Sequence, residues 1–193
     1  THSKRMNDTI IYKPRDGDEM TAASHNAPIY LYSDLCRIVD RCGIRGTLGR
    51  MFARNRNSII LLQDPHKMNS GHWMGLTIHP ERKEIYYFST YGGKPDVEKN
   101  EWLTEDDLRE SHQNTDVFND GLKQMQKEGW EIHYNDHPYQ KEGDGTATCG
   151  IYTVAFLNSG LNPDDFYEQT KRLKARHPNR DPAIDYYNAF FSH

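Results

Sequence analysis

The sequence predicts an α+β fold: a central mixed or antiparallel sheet flanked by helices. Three observations carry this expectation. Short apolar runs rich in β-branched and aromatic residues recur at Pro28–Tyr32, Ser58–Leu62, Trp73–His79, Glu84–Ser89 and Trp130–Tyr134, as strands of a packed sheet do. Separate stretches follow the 3.6-residue period of helices instead. The third and fourth apolar runs are joined by little more than Pro80-Glu81-Arg82-Lys83, a length that suits an antiparallel hairpin. The strand that begins near His72 is then central in the sheet.

The elements follow in chain order. After the first strand, Leu35, Ile38, Val39 and Cys42 fall at i, i+3, i+4 and i+7 behind Ser33 or Asp34 as cap, so a helix is expected that contains Cys36 and Cys42. The second and third strands are separated by the turn-rich string QDPHKMNSGH. Between Thr115 and Gly129 a further helix is expected, with Phe118, Leu122 and Met125 on one face and Gly129 as its stop. The string CGIYTVAFLNSG, Cys149–Gly160, is apolar nearly all round, which is the pattern of a buried helix. Asn162 as cap and Pro163 at the first helical position open another, reaching Arg176.

The chain has 193 residues, enough for one domain with a substantial core, and no Pro/Gly/Ser-rich linker divides it. It is read as a single domain, 1–193. The 24 basic and 28 acidic residues are mixed along the chain and give a net charge of −4. No specific nucleic acid partner is expected from such a balance, nor an anionic membrane. No apolar run approaches the roughly 20 residues that span a bilayer, and the opening THSKRMNDT lacks the apolar core of a signal peptide. Cys36, Cys42 and Cys149 are an odd, sparse set that suits a reducing intracellular setting better than a disulfide framework.

Cys149 stands where a polar, glycine-containing loop passes into the apolar helix. A sulfur there meets unpaired backbone N–H groups and the positive end of the helix dipole, which lowers a thiol pKa. The alternative is a small buried hydrophobe, the commonest fate of a free cysteine. Gly143, Gly145 and Gly150 leave room for a chain to approach closely, and backbone donors near Cys149 could line an oxyanion site. A cysteine nucleophile needs a base, and His72, at the head of the central strand, is the candidate. Among the ten histidines, His133 and His137 have metal-like i, i+4 spacing. They lie on a strand running into Pro138, and no cysteine or second pair completes a zinc set, so no metal and no cofactor is expected.

Read in order, His72-Trp73, a hairpin, Tyr86-Tyr87-Phe88-Ser89-Thr90-Tyr91-Gly92-Gly93, then Tyr139-Gln140 and Cys149-Gly150 resemble the cysteine peptidases that include the adenovirus maturation protease and the ubiquitin-like-protein proteases. The match covers about Ile59 to Leu157. It implies a papain-like core with the catalytic cysteine at the N-terminus of a buried helix. It also implies roles: Cys149 as nucleophile, His72 as its partner and proton donor, Gln140 as oxyanion donor, and Trp73 and Gly150 lining a narrow cleft for small residues, especially glycine.

In one position the sequence departs from that family. The third member of the site, an acid or amide, is expected seventeen residues after the histidine, where this chain carries Ser89. A hydroxyl can orient the imidazole but brings no negative charge; Asp96 or another carboxylate has to reach in if the charge is to be present. On this reading Ser89→Asp is expected to preserve or raise activity. The Gln140-to-Cys149 spacing is also long for the family. The leading expectation is an endopeptidase cleaving after small residues in a viral precursor or polyprotein, in host cytoplasm, nucleus or virion. The alternatives are an isopeptidase acting on ubiquitin or a ubiquitin-like modifier, a cysteine-thioester acyltransferase, and an inactive binding module.

Overall fold

The structure is a computed structural model that describes residues 17–53, 55–66, 71–139 and 148–191. Its centre is a five-stranded sheet in the order β1-β2-β3-β4-β5, formed by β1 (Ile29–Leu31), β2 (Asn57–Gln63), β3 (Gly71–His79), β4 (Glu84–Phe88) and β5 (Glu131–Tyr134). The outer pairs are parallel and the inner two antiparallel. The sheet is therefore mixed, and all five expected strands are present with β3 in the middle. The β3–β4 hairpin turns through Lys83, whose φ is 53°.

Eight helices are described: α1 (Gly17–Ala23), α2 (Tyr32–Phe52), α3 (Val97–Trp102), α4 (Glu105–Glu110), α5 (Val117–Lys127), α6 (Cys149–Ser159), α7 (Pro163–Arg176) and α8 (Pro182–Phe190). They cover both faces of the sheet, and the strand residues sort between two cores with a period of two, as a pleated strand requires. Ile59, Tyr86 and Phe88 join α6, with Val154 and Phe156, and Phe166 of α7. Ile60, Leu76, Ile85 and Tyr87 join Leu35 and Leu48 of α2 and Phe118 and Leu122 of α5. A sheet covered on both sides explains why β2, β3 and β4 read as nearly continuous apolar runs. Gly75 lets α6 close on β3: a Cβ there would stand 3.1 Å from the Thr153 methyl.

Two helix boundaries differ from the sequence reading. Leu31 is the N-cap of α2, so Ser33 and Asp34 lie inside its first turn, and Asp34 there accepts from Arg37 at 3.0 Å. The helix also runs past Cys42, with Gly43 at φ 75° marking a break inside it. The cap of α7 is as expected: the Asn162 side chain accepts from the Asp165 N–H at 2.9 Å, with Pro163 following. The short helices α1, α3, α4 and α8 were not anticipated. No helix among the described residues is long and apolar enough to cross a membrane.

Candidate active site

Cys149 is the first residue of α6 and His72 the second of β3, and the tight packing of α6 on β3 brings them together at one end of the sheet. Both are buried. The His72 ring and the backbone N–H groups of Trp73 and Gly150 are the groups that favour negative charge on the sulfur. The Gly150 donor belongs to the first turn of α6, where N–H groups have no partner within the helix.

The far nitrogen of the imidazole, Nε2, lies 2.9 Å from Ser89 Oγ. Ser89 directly follows β4 and is fully buried. Its carbonyl accepts from the Asn135 side-chain amide at 2.6 Å, an amide that also donates to the His137 carbonyl at 3.0 Å. The Tyr91 ring covers the imidazole, centroid to centroid 4.8 Å at 34°. Beyond Ser89 stands a carboxylate. Glu98, in the first turn of α3, places Oε1 and Oε2 at 2.8 and 2.7 Å from Ser89 Oγ, and Oε2 is 3.4 Å from His72 Nε2. The Gly93 N–H donates to Oε1 at 3.0 Å.

The electrostatics follow from this chain of contacts. Burial would push the His72 imidazole down, but hydrogen bonds with Cys149 and Glu98, together with their charges, leave it raised to about 9. Burial would likewise push the Cys149 thiol up, yet its bond to His72 and the imidazolium charge hold it below the ordinary thiol value. For Glu98 burial again opposes ionisation, and His72, then Ser89 and Gly93, more than offset it, so the carboxyl sits below its usual range. All three shifts favour one state: thiolate, imidazolium and carboxylate in a row.

Asp96, the carboxylate singled out from the sequence, is turned elsewhere. It is the N-cap of α3, with a left-handed backbone at φ 68°. Its side chain accepts from the Tyr32 hydroxyl and from the Asn119 N–H. Next to it Lys99 is buried and donates to the Thr115 and Gln113 carbonyls at 2.7 and 2.9 Å and to Tyr32 at 3.1 Å; it also pairs with Asp116 at 3.1 Å. Burial raises Asp96 to about 6 in spite of these donors.

Of the residues named from the sequence, His72, Cys149 and Ser89 are thus brought into one row, with His72 hydrogen-bonded to Ser89 and electrostatically coupled to Cys149. Trp73 and Gly150 adjoin Cys149 through their backbone N–H groups; the Trp73 ring is half-buried and packs on the α6 core. Gln140 lies outside the described residues, as do Gly143 and Gly145. His133 and His137 do not share a site: His133 gathers with Glu84 and Glu131, and His137 with Asp136 and Asp164. The His137 ring stacks flat on Tyr167 at 3.9 Å. Sequence reasoning missed Glu98. No local signal in the chain pointed to it; its place is made by Gly93, at which a Cβ would stand 2.5 Å from Glu98 Oε1.

No family model matches the chain, and no curated protein matches it. Among solved structures it is similar to the SUMO protease Ulp1. One such structure, with the catalytic cysteine oxidised to a sulfinic acid, is 19% identical over 80% of this chain and 70% of the other, with a TM-score of 0.38. Another is the C-terminal Ulp1 protease domain in complex with Smt3, the yeast ortholog of SUMO, at 17% identity over 83% and 76%, also with a TM-score of 0.38.

Proposed function

We propose that this chain is a cysteine peptidase that cleaves a protein or polyprotein substrate after small residues, with Cys149 as nucleophile. The observation that supports it above all is the buried Cys149–His72 pair at the start of α6, its thiol held low and its imidazole raised to about 9. A thiolate of that kind attacks the scissile carbonyl carbon and forms a tetrahedral oxyanion. His72 gives its proton to the leaving amine as the C–N bond breaks, leaving a thioester on Cys149. The neutral imidazole then takes a proton from water, whose oxygen attacks the thioester; the acid product departs and the thiolate–imidazolium pair is restored. Backbone N–H groups at the first turn of α6 are suited to the oxyanion, and Gln140 is assigned a second donor's role there from the family resemblance.

The substrate is proposed as a viral precursor, processed in a reducing intracellular compartment, which suits the free thiols of Cys36, Cys42 and Cys149. Removal of a ubiquitin-like modifier would use the same centre and differ in the surface recognised. The test is incubation with Gly-X precursor peptides and with a ubiquitin-like probe carrying a C-terminal electrophile. Cleavage of the peptides is expected, reduced to background by Cys149→Ala and nearly so by His72→Ala, with the fold unchanged by circular dichroism. Capture of the probe without peptide cleavage would move the reading to an isopeptidase, and labelling by acetyl-CoA to an acyltransferase. Wild-type turnover in Cys149→Ala, or no reaction of Cys149 with any electrophile, overturns it.

A further inference from the structure

We infer that Glu98 supplies the negative charge for the His72 imidazolium, acting through Ser89 as a hydroxyl relay, and that the third function of the site is divided between two residues from different elements. The inference rests on the peptidase reading and deepens it. Ser89 has one proton and free lone pairs. With its Oγ 2.7–2.8 Å from both Glu98 oxygens, that proton is committed to the carboxylate. The lone pair facing His72 Nε2 at 2.9 Å then accepts the ring N–H, and Nδ1 is left to Cys149. The hydroxyl therefore passes the carboxylate's charge on to the ring, and the direct separation of 3.4 Å between Glu98 Oε2 and Nε2 adds a Coulombic attraction that burial leaves little screened.

Other groups cannot fill the role from where they stand. The titratable groups that act on the His72–Glu98 pair or pack against it include Cys149 from α6, Tyr87 from β4 and Tyr91 from the loop after it. Tyr87 is fully buried, donates to Met74 Sδ at 3.0 Å and is pushed well above the ordinary tyrosine range by burial, then by the charge of Glu98; it stays neutral. Tyr91 meets the ring with its face. Asp96 is engaged instead by the Tyr32 hydroxyl and the Asn119 N–H. Gly93 completes the arrangement, since its N–H donates to Oε1 and its missing side chain leaves the carboxylate its space.

Glu98 is a positioning residue, because it reaches the reacting atoms only through His72. Its presence also reverses what the sequence implies for Ser89→Asp: a carboxylate at 89 would stand against Glu98 at about the present hydrogen-bond distance, and two such groups cannot both ionise.

The test needs no substrate: titration of the His72 ring by NMR and the acid limb of Cys149 alkylation by iodoacetamide, in wild type, Glu98→Gln, Glu98→Asp, Ser89→Asp and the double variant Ser89→Asp/Glu98→Gln. The wild-type ring is expected to titrate near 9. Glu98→Gln is expected to lower that midpoint by about one unit or more, the loss of one nearby opposite charge. Glu98→Asp should recover part of it, and the double variant, which returns a single carboxylate to direct contact with the ring, most of it. A midpoint unchanged in folded Glu98→Gln, or a double variant that behaves like Glu98→Gln alone, overturns the role of Glu98 and leaves the peptidase reading standing. A wild-type Cys149 that alkylates as an ordinary thiol overturns the ion pair itself and both readings with it.

Discussion

Two helices deliver side chains to His72, and they are held in place by opposite means. In α6 every residue from Cys149 to Leu157 is buried, and its apolar body is locked between β3, α7 and α8. Phe156 stacks on Phe88 at 4.6 Å and 7° and meets Phe166 edge-on at 5.6 Å. By contrast, α3 is six residues long and leaves Val97 and Trp102 exposed; so short a helix is not stable by itself. Its seat is polar: Lys99 reaches into the carbonyls of residues 113 and 115, and Asp96 caps the N-terminus of α5 at Asn119. Cys149 is therefore held by a non-directional force that is indifferent to pH, whereas the Glu98 carboxylate is held by buried polar groups whose geometry and protonation both matter.

The largest effect on stability is expected from the apolar side. Phe156→Ala should cost about 3–5 kcal/mol, the usual price of emptying an aromatic site in a core. Denaturant unfolding at pH 5 and pH 8 should return the same loss at both. A loss that depends on pH would mean that α6 also rests on titrating groups.

On the polar side the effect is smaller and changes with pH. Asp96 is raised from 3.8 to about 6 by burial, so between those values the folded state binds more protons than the unfolded one. Its contribution to stability is complete below the lower value and declines as pH rises through the higher one, by up to about 3 kcal/mol for a shift of this size. Glu98, lowered in the fold, works in the other direction and loses its contribution as pH falls through its depressed folded value. Comparing unfolding of wild type and Asp96→Asn at pH 4 and pH 7 separates the two, because the decline due to Asp96 should vanish in the variant while the Glu98 contribution remains. An identical pH dependence in both proteins would remove Asp96 from the seat of α3.

The smallest change in stability, with the most selective consequence, is expected from Gly93→Ala. The backbone there has no left-handed φ, and the clash is with the end of one side chain, 2.5 Å to Glu98 Oε1 and 2.7 Å to Cγ. Global stability should move by less than about 1 kcal/mol. The carboxylate, however, must swing away from Ser89, so the His72 midpoint should fall from about 9 toward the ordinary histidine value, read by NMR. An unmoved midpoint would show that Glu98 tolerates displacement and that the α3 side of the comparison is softer than its contacts imply.

The legibility of these two regions in the sequence follows the same division. The strand runs and the Cys149–Gly160 helix announce themselves because burial on both faces demands long apolar strings, and those strings survive any detail of packing. His72 and Cys149 stand out as candidates from their place at the heads of such elements, and the family resemblance pairs them. The four short helices were harder to see, although two of them carry capping signals: Thr104 with Asp107 at α4 form a reciprocal capping box, and Asp181 with Pro182 opens α8. At α3 no such signal exists. Its cap is a left-handed aspartate whose side chain makes no hydrogen bond to the α3 backbone, and the helix follows the polar string Lys94-Pro95-Asp96. Asp96 was the nearer carboxylate in sequence and the wrong one in space, because a helix starting at Val97 sends residues two positions apart in different directions.

By itself the sequence determined the α+β class, the five strands and the central position of β3, since each rests on burial periods that neighbouring residues encode; it offered Cys149 and His72 as candidates, and the family resemblance paired them. Only the tertiary structure decided which carboxylate completes the row. That choice depends on how α3 is turned by Lys99, Tyr32 and Asp96, groups up to 67 residues apart, and on the space left at Gly93, and contacts between distant segments leave no period in the chain from which they could be read.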